Sequence, residues 1–449
     1  MTALRAQDFG ASFVWGAATA AYQIEGAYQK GGRGPSIWDT FTHKPTWFGP
    51  PRPTGDVACD FFHRYESDLH LLKSLGFRAF RFSLSWSRIM PQGSGAINEA
   101  GLAFYDGVID TCLKLGIEPW ITLYHWDLPQ ALEDKGGWTN RAIIPWFSAY
   151  VDCCTKAFGH KVKHWMVLNE PMAFTLGGYF TGVHAPRRRG IDNFIRAVHH
   201  AVVCQGEGGR IIRRNVANAQ IGTTLSCMPV DPYTSSFRDQ QAASRVDALG
   251  NRLFIEPALG LGYPHREAPV LGHMIKRCVQ PGDMERATFD FDFIGLQNYF
   301  RMVVSHSWFM PYVWAREIKP NRRDVGQITQ MNWEVYPDGI YRILKQFSRY
   351  PTMPPLLITE NGAAFPDVLQ NGVVDDPLRV DFFQRYLQAI LRAKQEGVNV
   401  RGYFAWSLLD NFEWAEGYRP RFGLVYVDYP TQQRIIKGSG HWFSHFLSC

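Results

Sequence analysis

Leu356-Leu357-Ile358-Thr359-Glu360-Asn361-Gly362 follows two prolines, runs apolar and β-favouring for four residues, and stops abruptly in an acid, an amide and a glycine. It reads as a buried strand that ends on a carboxylate. His164-Trp165-Met166-Val167-Leu168-Asn169-Glu170-Pro171 repeats the design, with an amide and an acid at the strand end and a proline that stops it. Burying a carboxylate costs roughly several kcal/mol of desolvation unless the group is paired or used. Either glutamate alone fits an ordinary strand-to-loop cap. The two together point to chemistry.

Outward from these two strands, the chain alternates between short apolar runs and amphipathic helical patterns. Residues 13–19 read as a first strand leading to Ala20-Ala21-Tyr22-Gln23, and the Gly-, Pro- and aromatic-rich residues 31–53 read as a loop. A helix over 65–75 is closed by Gly76, and the strand 78–83 sets Arg81 between two phenylalanines, where a cation needs an anionic partner. A helix over 101–115 leads to the strand 119–124 and His125-Trp126, and a helix over 141–158 leads to the strand that carries Glu170. A long helix from 191 to about 214, a strand over 220–225, a helical span over 240–259 and a strand over 291–297 follow. After Glu360, residues 377–396 make the clearest helix, with Asp376 set to cap it, Pro377 in its first turn and Gly397 ending it. A last strand spans 400–406, and a last helix spans 437–447.

Eight strands separated by helices imply a parallel sheet closed into a (β/α)8 TIM barrel. A minimal barrel needs roughly 250 residues, so 449 residues leave a surplus. That surplus is expected in long βα loops after strands four to six. With no linker, composition break or repeat, residues 1–449 read as a single catalytic domain.

The excess of basic over acidic side chains, 47 against 41, is too small and too dispersed for nucleic-acid binding. Its densest cluster, Arg187-Arg188-Arg189, reads as solvated surface. Aromatic residues make up 14% of the chain, more than a core requires, and suit a ligand with flat apolar faces such as a sugar. The eight cysteines, Cys449 included, lack CxxC spacing and read as free thiols of a reducing compartment. Residues 1–10 hold no apolar leader, so the expectation is a soluble, cytoplasmic protein.

In such a barrel the site forms at the C-terminal strand ends. Those ends collect Gln23, Arg81, His125, Trp126, Asn169, Glu170, Gln297, Asn298, Tyr299, Glu360 and Trp406. Two acids among amides and aromatic rings suit glycosidic bond cleavage, in which one protonates the leaving oxygen and the other attacks or activates water. Each residue also has a plainer role open to it: Arg81 as partner of any buried acid, His125 as a structural histidine, Trp126 and Trp406 as packing, Asn298 as a turn residue. No HExxH, Walker loop or GxGxxG follows a strand, which argues against metal and nucleotide chemistry.

The segments FVWGAATAAYQIEG (13–26), RFSLSWSR (81–88), LYHWDLP (123–129), LNEP (168–171), WEVYPDG (333–339), ITENG (358–362) and WSLLDNFEW (406–414) together resemble glycoside hydrolase family 1, the β-glucosidase family, over essentially the whole chain. The resemblance implies a retaining double displacement on unphosphorylated β-glucosides, with β-galactosides or β-fucosides as further substrates. It makes Glu360 the nucleophile and Glu170 the general acid and base. Arg81 and Tyr299 then hold Glu360 ionised at a low pKa, and Asn169 binds the sugar 2-hydroxyl. Gln23, His125, Glu413 and Trp414 bind the other hydroxyls, Trp406 is the sugar platform, Trp333 lines the aglycone side, and Trp126, Gln297, Asn298 and Phe422 complete the binding set. Retention requires carboxylates about 5 to 5.5 Å apart. The implied partner is a small-molecule β-glycoside, with no cofactor, metal, nucleic acid or membrane. A transglycosylase or a catalytically weak sugar-binding relative shares the scaffold and remains an alternative. Gln297-Asn298-Tyr299 departs from the family pattern, leaving open which amide serves the site. Arg419-Pro420-Arg421 stiffens and charges a loop expected to bear on substrate preference.

Overall fold

The eight apolar runs form one closed parallel barrel in this computed structural model, which describes residues 4–45 and 50–448. Its strands are β1 (Val14–Ala18), β2 (Ala79–Ser83), β3 (Glu118–Tyr124), β4 (His164–Asn169), β5 (Gln220–Ser226), β6 (Phe293–Gln297), β7 (Leu356–Asn361) and β8 (Val400–Trp406). Each pairs with its neighbours in sequence, and β1 closes on β8 with Ala18 opposite Trp406. Helices including Phe61–Ser74, Glu99–Lys114, Ile143–Phe158, Ile191–Asn215, Asp338–Phe347 and Pro377–Gln395 cover the outside. Strands covered on both faces read as continuous apolar runs, and β7 is buried at every residue.

The barrel interior is filled with side chains. Trp120, Phe293 and Phe404 close it beneath the site, with ring centroids of Trp120 5.6 and 5.2 Å from those of Phe293 and Phe404. Gly222 makes room for this layer, because a Cβ there would lie 2.2 Å from the Phe293 ring. Met166 lies above, with its sulfur 3.2 Å from Nε of Arg81. The regular pairing breaks just before each glutamate. Along β7 the register with β6 shifts between Ile358 and Glu360, and along β4 the register with β5 shifts between Met166 and Asn169. Such bulges re-aim the residues that follow.

Several expectations are corrected. Residues 31–53 are not all loop: Ile37–His43 is a helix, because Ser36 and Asp39 form a reciprocal capping box and Ile37, Trp38 and Phe41 bury one face. The 240–259 span starts earlier, at Phe237, and breaks into Phe237–Asp247, a π-turn at Ala248–Arg252 and Ile255–Ala258. Asp376 stands at the helix N-cap position without capping it; its carboxylate pairs with Arg379 and accepts from the backbone and hydroxyl of Ser439. Glu170 lies one residue beyond β4, at φ 43°. The surplus is not confined to the loops after strands four to six, since long segments also follow β1 and β8. A three-stranded sheet (Val230–Pro232, Met302–His306 and Ala315–Glu317) and two hairpins (Leu369–Gln370 with Val373–Val374, and Val425–Asp428 with Gln433–Ile436) were not expected.

Within Arg187-Arg188-Arg189, only the outer two are exposed; Arg188 pairs with Glu133 at 2.5 Å. The seven described cysteines are free, and Cys449 lies outside the described residues. No described helix is long and apolar enough to cross a membrane. The aromatic excess divides between two uses: Trp38, Trp86, Trp138 and Trp165 are buried in the core, whereas Trp126, Trp333, Trp406 and Trp414 line one cavity.

Candidate active site

A cavity of about 380 Å3 opens at the C-terminal end of the barrel. Of the residues anticipated from the sequence, His125, Trp126, Glu170, Tyr299, Trp333, Glu360, Trp406, Glu413, Trp414 and Phe422 line it. Arg81, Asn169, Gln297 and Gln23 stand behind that wall and hold it. Asn298 does neither: its amide donates to the carbonyls of Cys227 and Phe300, and its own carbonyl accepts from Asn361.

Glu360 projects from β7 and accepts a 2.6 Å hydrogen bond from the Tyr299 hydroxyl on one oxygen and an ion pair from Arg81 on the other. Gly362, two residues on, lets the chain approach β8 closely; a Cβ there would lie 1.8 Å from the Trp406 carbonyl oxygen. The second Arg81 nitrogen donates to Asn169 Oδ1 at 2.5 Å. That oxygen also accepts from Gln297 Nε2 at 2.7 Å and Thr224 Oγ1 at 2.9 Å. Gln297 is therefore the amide tied into the site.

Three donors on Oδ1 fix the orientation of Asn169, so its Nδ2 donates to Nε2 of His125 at 2.9 Å. The imidazole proton then sits on Nδ1, which has no partner among the described residues. Burial, reinforced by Arg81, holds His125 well below the usual histidine range and hence neutral.

Glu170 carries no comparable cation. Burial, and then the charge of Glu360, push its carboxyl up to about 8, against smaller opposing effects of Ser226 and Arg81. Glu413 is also pushed up to about 8, by burial and then by Glu360. Gln23 reaches it at 3.4 Å while its amide also donates to Asn411 Oδ1 and the Phe412 carbonyl at 2.9 and 2.8 Å. Burial raises Glu360 as well, which corrects the expectation of a low pKa; Arg81, Tyr299 and Gln297 pull it back without reversing the rise. The asymmetry of partners remains, and it makes Glu360 the acid that ionises first.

Trp126 is held at φ 77° by the bond from its Nε1 to the Asn169 carbonyl at 2.9 Å, and its ring packs 4.6 Å from that of Trp414. Trp333 stacks on Phe300 at 5.2 Å and tilts against Tyr299 at 5.4 Å. Val183, His184, Ser226, Phe300 and Met331 also line the cavity and were not anticipated. Most come from loops, where apolar character carries no periodic signal. Ser226, the last residue of β5, follows from the strand-end rule once β5 is extended by one residue. Arg421 turns away from the cavity to pair with Asp410 at 2.6 Å, and Arg419 pairs with Glu416. Among the described residues, no group of three or more His, Cys, Asp or Glu is placed to hold a metal ion.

The model of a family described as "Glycosyl hydrolase family 1" matches residues 5–449. Beta-glucosidase A of Thermotoga maritima is 42% identical over 448 residues, covering 99% of this chain and 98% of that protein. The 1,4-beta-D-glucan glucohydrolase of Thermotoga neapolitana is 42% identical, covering 98% of each. A solved structure of the beta-glucosidase from Thermotoga maritima in complex with galacto-hydroximolactam superposes with a TM-score of 0.91 at 42% identity, covering 98% of each chain.

Proposed function

We propose that this chain, which belongs to glycosyl hydrolase family 1, is a retaining β-glucosidase that removes terminal, unphosphorylated β-D-glucosyl units by double displacement. The observation that carries this reading is the unlike company of two glutamates in one cavity: Glu360 bonded to Arg81 and Tyr299, and Glu170 without a cation and raised to about 8.

At neutral pH Glu170 holds the proton that the glycosidic oxygen needs as its bond to the anomeric carbon breaks. The Glu360 carboxylate attacks that carbon, the aglycone leaves as an alcohol, and a glycosyl ester remains. Esterification removes the Glu360 charge, one cause of the raised Glu170 pKa. Glu170, now a carboxylate, takes a proton from water; the resulting hydroxide equivalent attacks the anomeric carbon, and the sugar is released with net retention.

Tyr299 and Arg81 hold Glu360 in line, and Asn169, behind them, orients the neutral His125, which offers its Nδ1 proton to a sugar hydroxyl. Glu413, positioned by Gln23, and Trp414 take the remaining hydroxyls, Trp406 stacks on the sugar face, and Trp333 flanks the aglycone. No lysine or arginine is among the described residues lining the cavity, so a sugar phosphate finds no cation there. The relative solved with galacto-hydroximolactam supports a second substrate class, β-galactosides. Proton NMR of the first sugar released from an aryl β-glucoside tests the reading. The β-anomer is expected, whereas the α-anomer indicates inversion and removes the covalent step.

A further inference from the structure

The sheet Val230–Pro232, Met302–His306 and Ala315–Glu317 packs under the helix Phe237–Asp247 around its own small core of Ala242, Ala243, Val304 and Ala315, separate from the core of the barrel. Its antiparallel strands Met302–His306 and Ala315–Glu317 are joined by a turn whose tip is apolar and bare. Trp308 is 69%, Phe309 94% and Met310 47% exposed, and Phe237, at the start of the covering helix, is 74% exposed. Large apolar side chains exposed together mark a surface that something else covers.

The charge around this tip is one-sided. Arg238 lies over the Trp308 ring, Arg245 donates to the Val313 carbonyl, and Arg316 donates to the Ser305 hydroxyl. None of the three forms an ion pair among the described residues. The nearby acids are already engaged: Asp239 is buried and accepts from Thr234 and the His306 backbone, and Glu317 pairs with Lys319.

We propose that this tip docks on a lipid surface carrying anionic headgroups, with Trp308, Phe309 and Met310 entering the headgroup–acyl boundary and Arg238, Arg245 and Arg316 facing the phosphates. A tip this convex inserts readily into a fluid interface, and a tryptophan beside cations suits the headgroup level. A second copy is a poorer occupant, because a twofold contact through the tip sets unpaired arginines against their own images. Docking would also bring the cavity mouth towards the membrane: Tyr312, in the same turn, packs 6.3 Å from Phe180, three residues before the cavity-lining Val183. Spanning segments and leaders, on which the expectation of no membrane partner rests, carry no signal for a docking tip of this kind. Docking is independent of the proposed chemistry.

The test is co-sedimentation of the full chain with phosphatidylcholine vesicles containing about a third phosphatidylserine, beside pure phosphatidylcholine vesicles. Binding is expected only to the anionic vesicles, weakening as NaCl rises from about 0.1 to about 0.5 M. Trp308→Ser/Phe309→Ser/Met310→Ser and, separately, Arg238→Glu/Arg316→Glu are each expected to weaken it about tenfold or more. An environment-sensitive dye on Phe309→Cys is expected to shift to the blue on anionic vesicles and supplies a readout should the triple variant misfold. The proposal is overturned by a chain that stays in the supernatant with both vesicles, by binding that both variants leave unchanged, or by light scattering that shows a dimer which the triple variant dissociates. The last outcome assigns the tip to a second copy.

Discussion

Two clusters of buried charge sit within the same rim of the barrel and are composed in opposite ways. Behind the loops after β7 and β8, Asp367, Asp376 and Asp410 meet Arg379, Lys437 and Arg421, three acids against three cations. In the cavity, Arg81 is the one cation that pairs with any of Glu170, Glu360 and Glu413 among the described residues, since His125 is held neutral. Burial pushes carboxyls up in both places. At Asp367 the neighbouring Arg379 and Lys437 more than offset it, and the group ends below the ordinary range; at Glu170 nothing comparable does, and the group ends near 8. Matched charge anchors loops, and unmatched charge holds a proton ready to move. The clusters are also joined: Arg379 donates to the carbonyls of Ala363 and Arg421, and Asn411, next to Asp410, accepts from Gln23.

Mutations should separate the two clusters by kind of effect. In the cavity, Glu360→Gln is expected to lower kcat on the order of 10^4-fold or more with the fold intact. Glu170→Gln should cost about 10^2- to 10^4-fold on poor leaving groups, far less in the first step with activated ones, and be rescued by azide. Equal, unrescued losses on every substrate would contradict the division of roles. In the matched cluster, Asp410→Ala leaves Arg421 without its carboxylate and Lys437 with Asp367 alone, and should cost about 3–5 kcal/mol in urea unfolding. A loss no larger than that of a surface pair would show the cluster to be dispensable.

Tyr299→Phe sharpens the cavity side. Removing one hydrogen bond to a charged group is worth about 1.5–3 kcal/mol of transition-state stabilisation. It should also move the acidic limb of the kcat/KM profile up, because the hydroxyl favours the ionised Glu360. The basic limb, where Glu170 loses the proton it must donate, should stay near pH 8: activity is retained below that value and lost above it. An acidic limb that does not move would exclude Glu360 as the group ionising there. The smallest effect belongs to the exposed pair Arg385–Asp381, 3.1 Å apart, where Arg385→Ala should change stability by less than about 0.5 kcal/mol and kcat/KM not at all.

What the sequence discloses follows from where its signals originate. Buried parallel strands are continuous apolar runs, so Val400–Trp406 is legible to the residue and Glu360 can be placed at a strand end without knowing its partners. The helix Ile37–His43 is hidden because its signal, a serine and an aspartate three residues apart, is embedded in Gly- and Pro-rich sequence. The short strands carrying the Trp308 turn are too brief for period-two alternation to register. Gln297 and Asn298 are adjacent amides, and the sequence does not say which one closes the strand: Gln297 is the last residue of β6 and turns to Asn169, whereas Asn298 lies past the strand end and donates to backbone. The rise at Glu360 escapes the sequence for a different reason. An adjacent arginine is visible in a pattern of motifs, whereas complete burial of the carboxylate is a property of the assembled barrel.

The account turns on Glu360 becoming covalently bonded to the sugar while Glu170 handles the proton. Incubation with a 2-deoxy-2-fluoro-β-glucosyl fluoride, which slows release of the intermediate more than its formation, followed by peptide mapping by mass spectrometry, examines that bond directly. One fluoroglucosyl adduct per chain, on the peptide containing Leu356–Asn361 and at Glu360, is the predicted result. An adduct on Glu170 or elsewhere, or an inactivated enzyme that carries none, contradicts it.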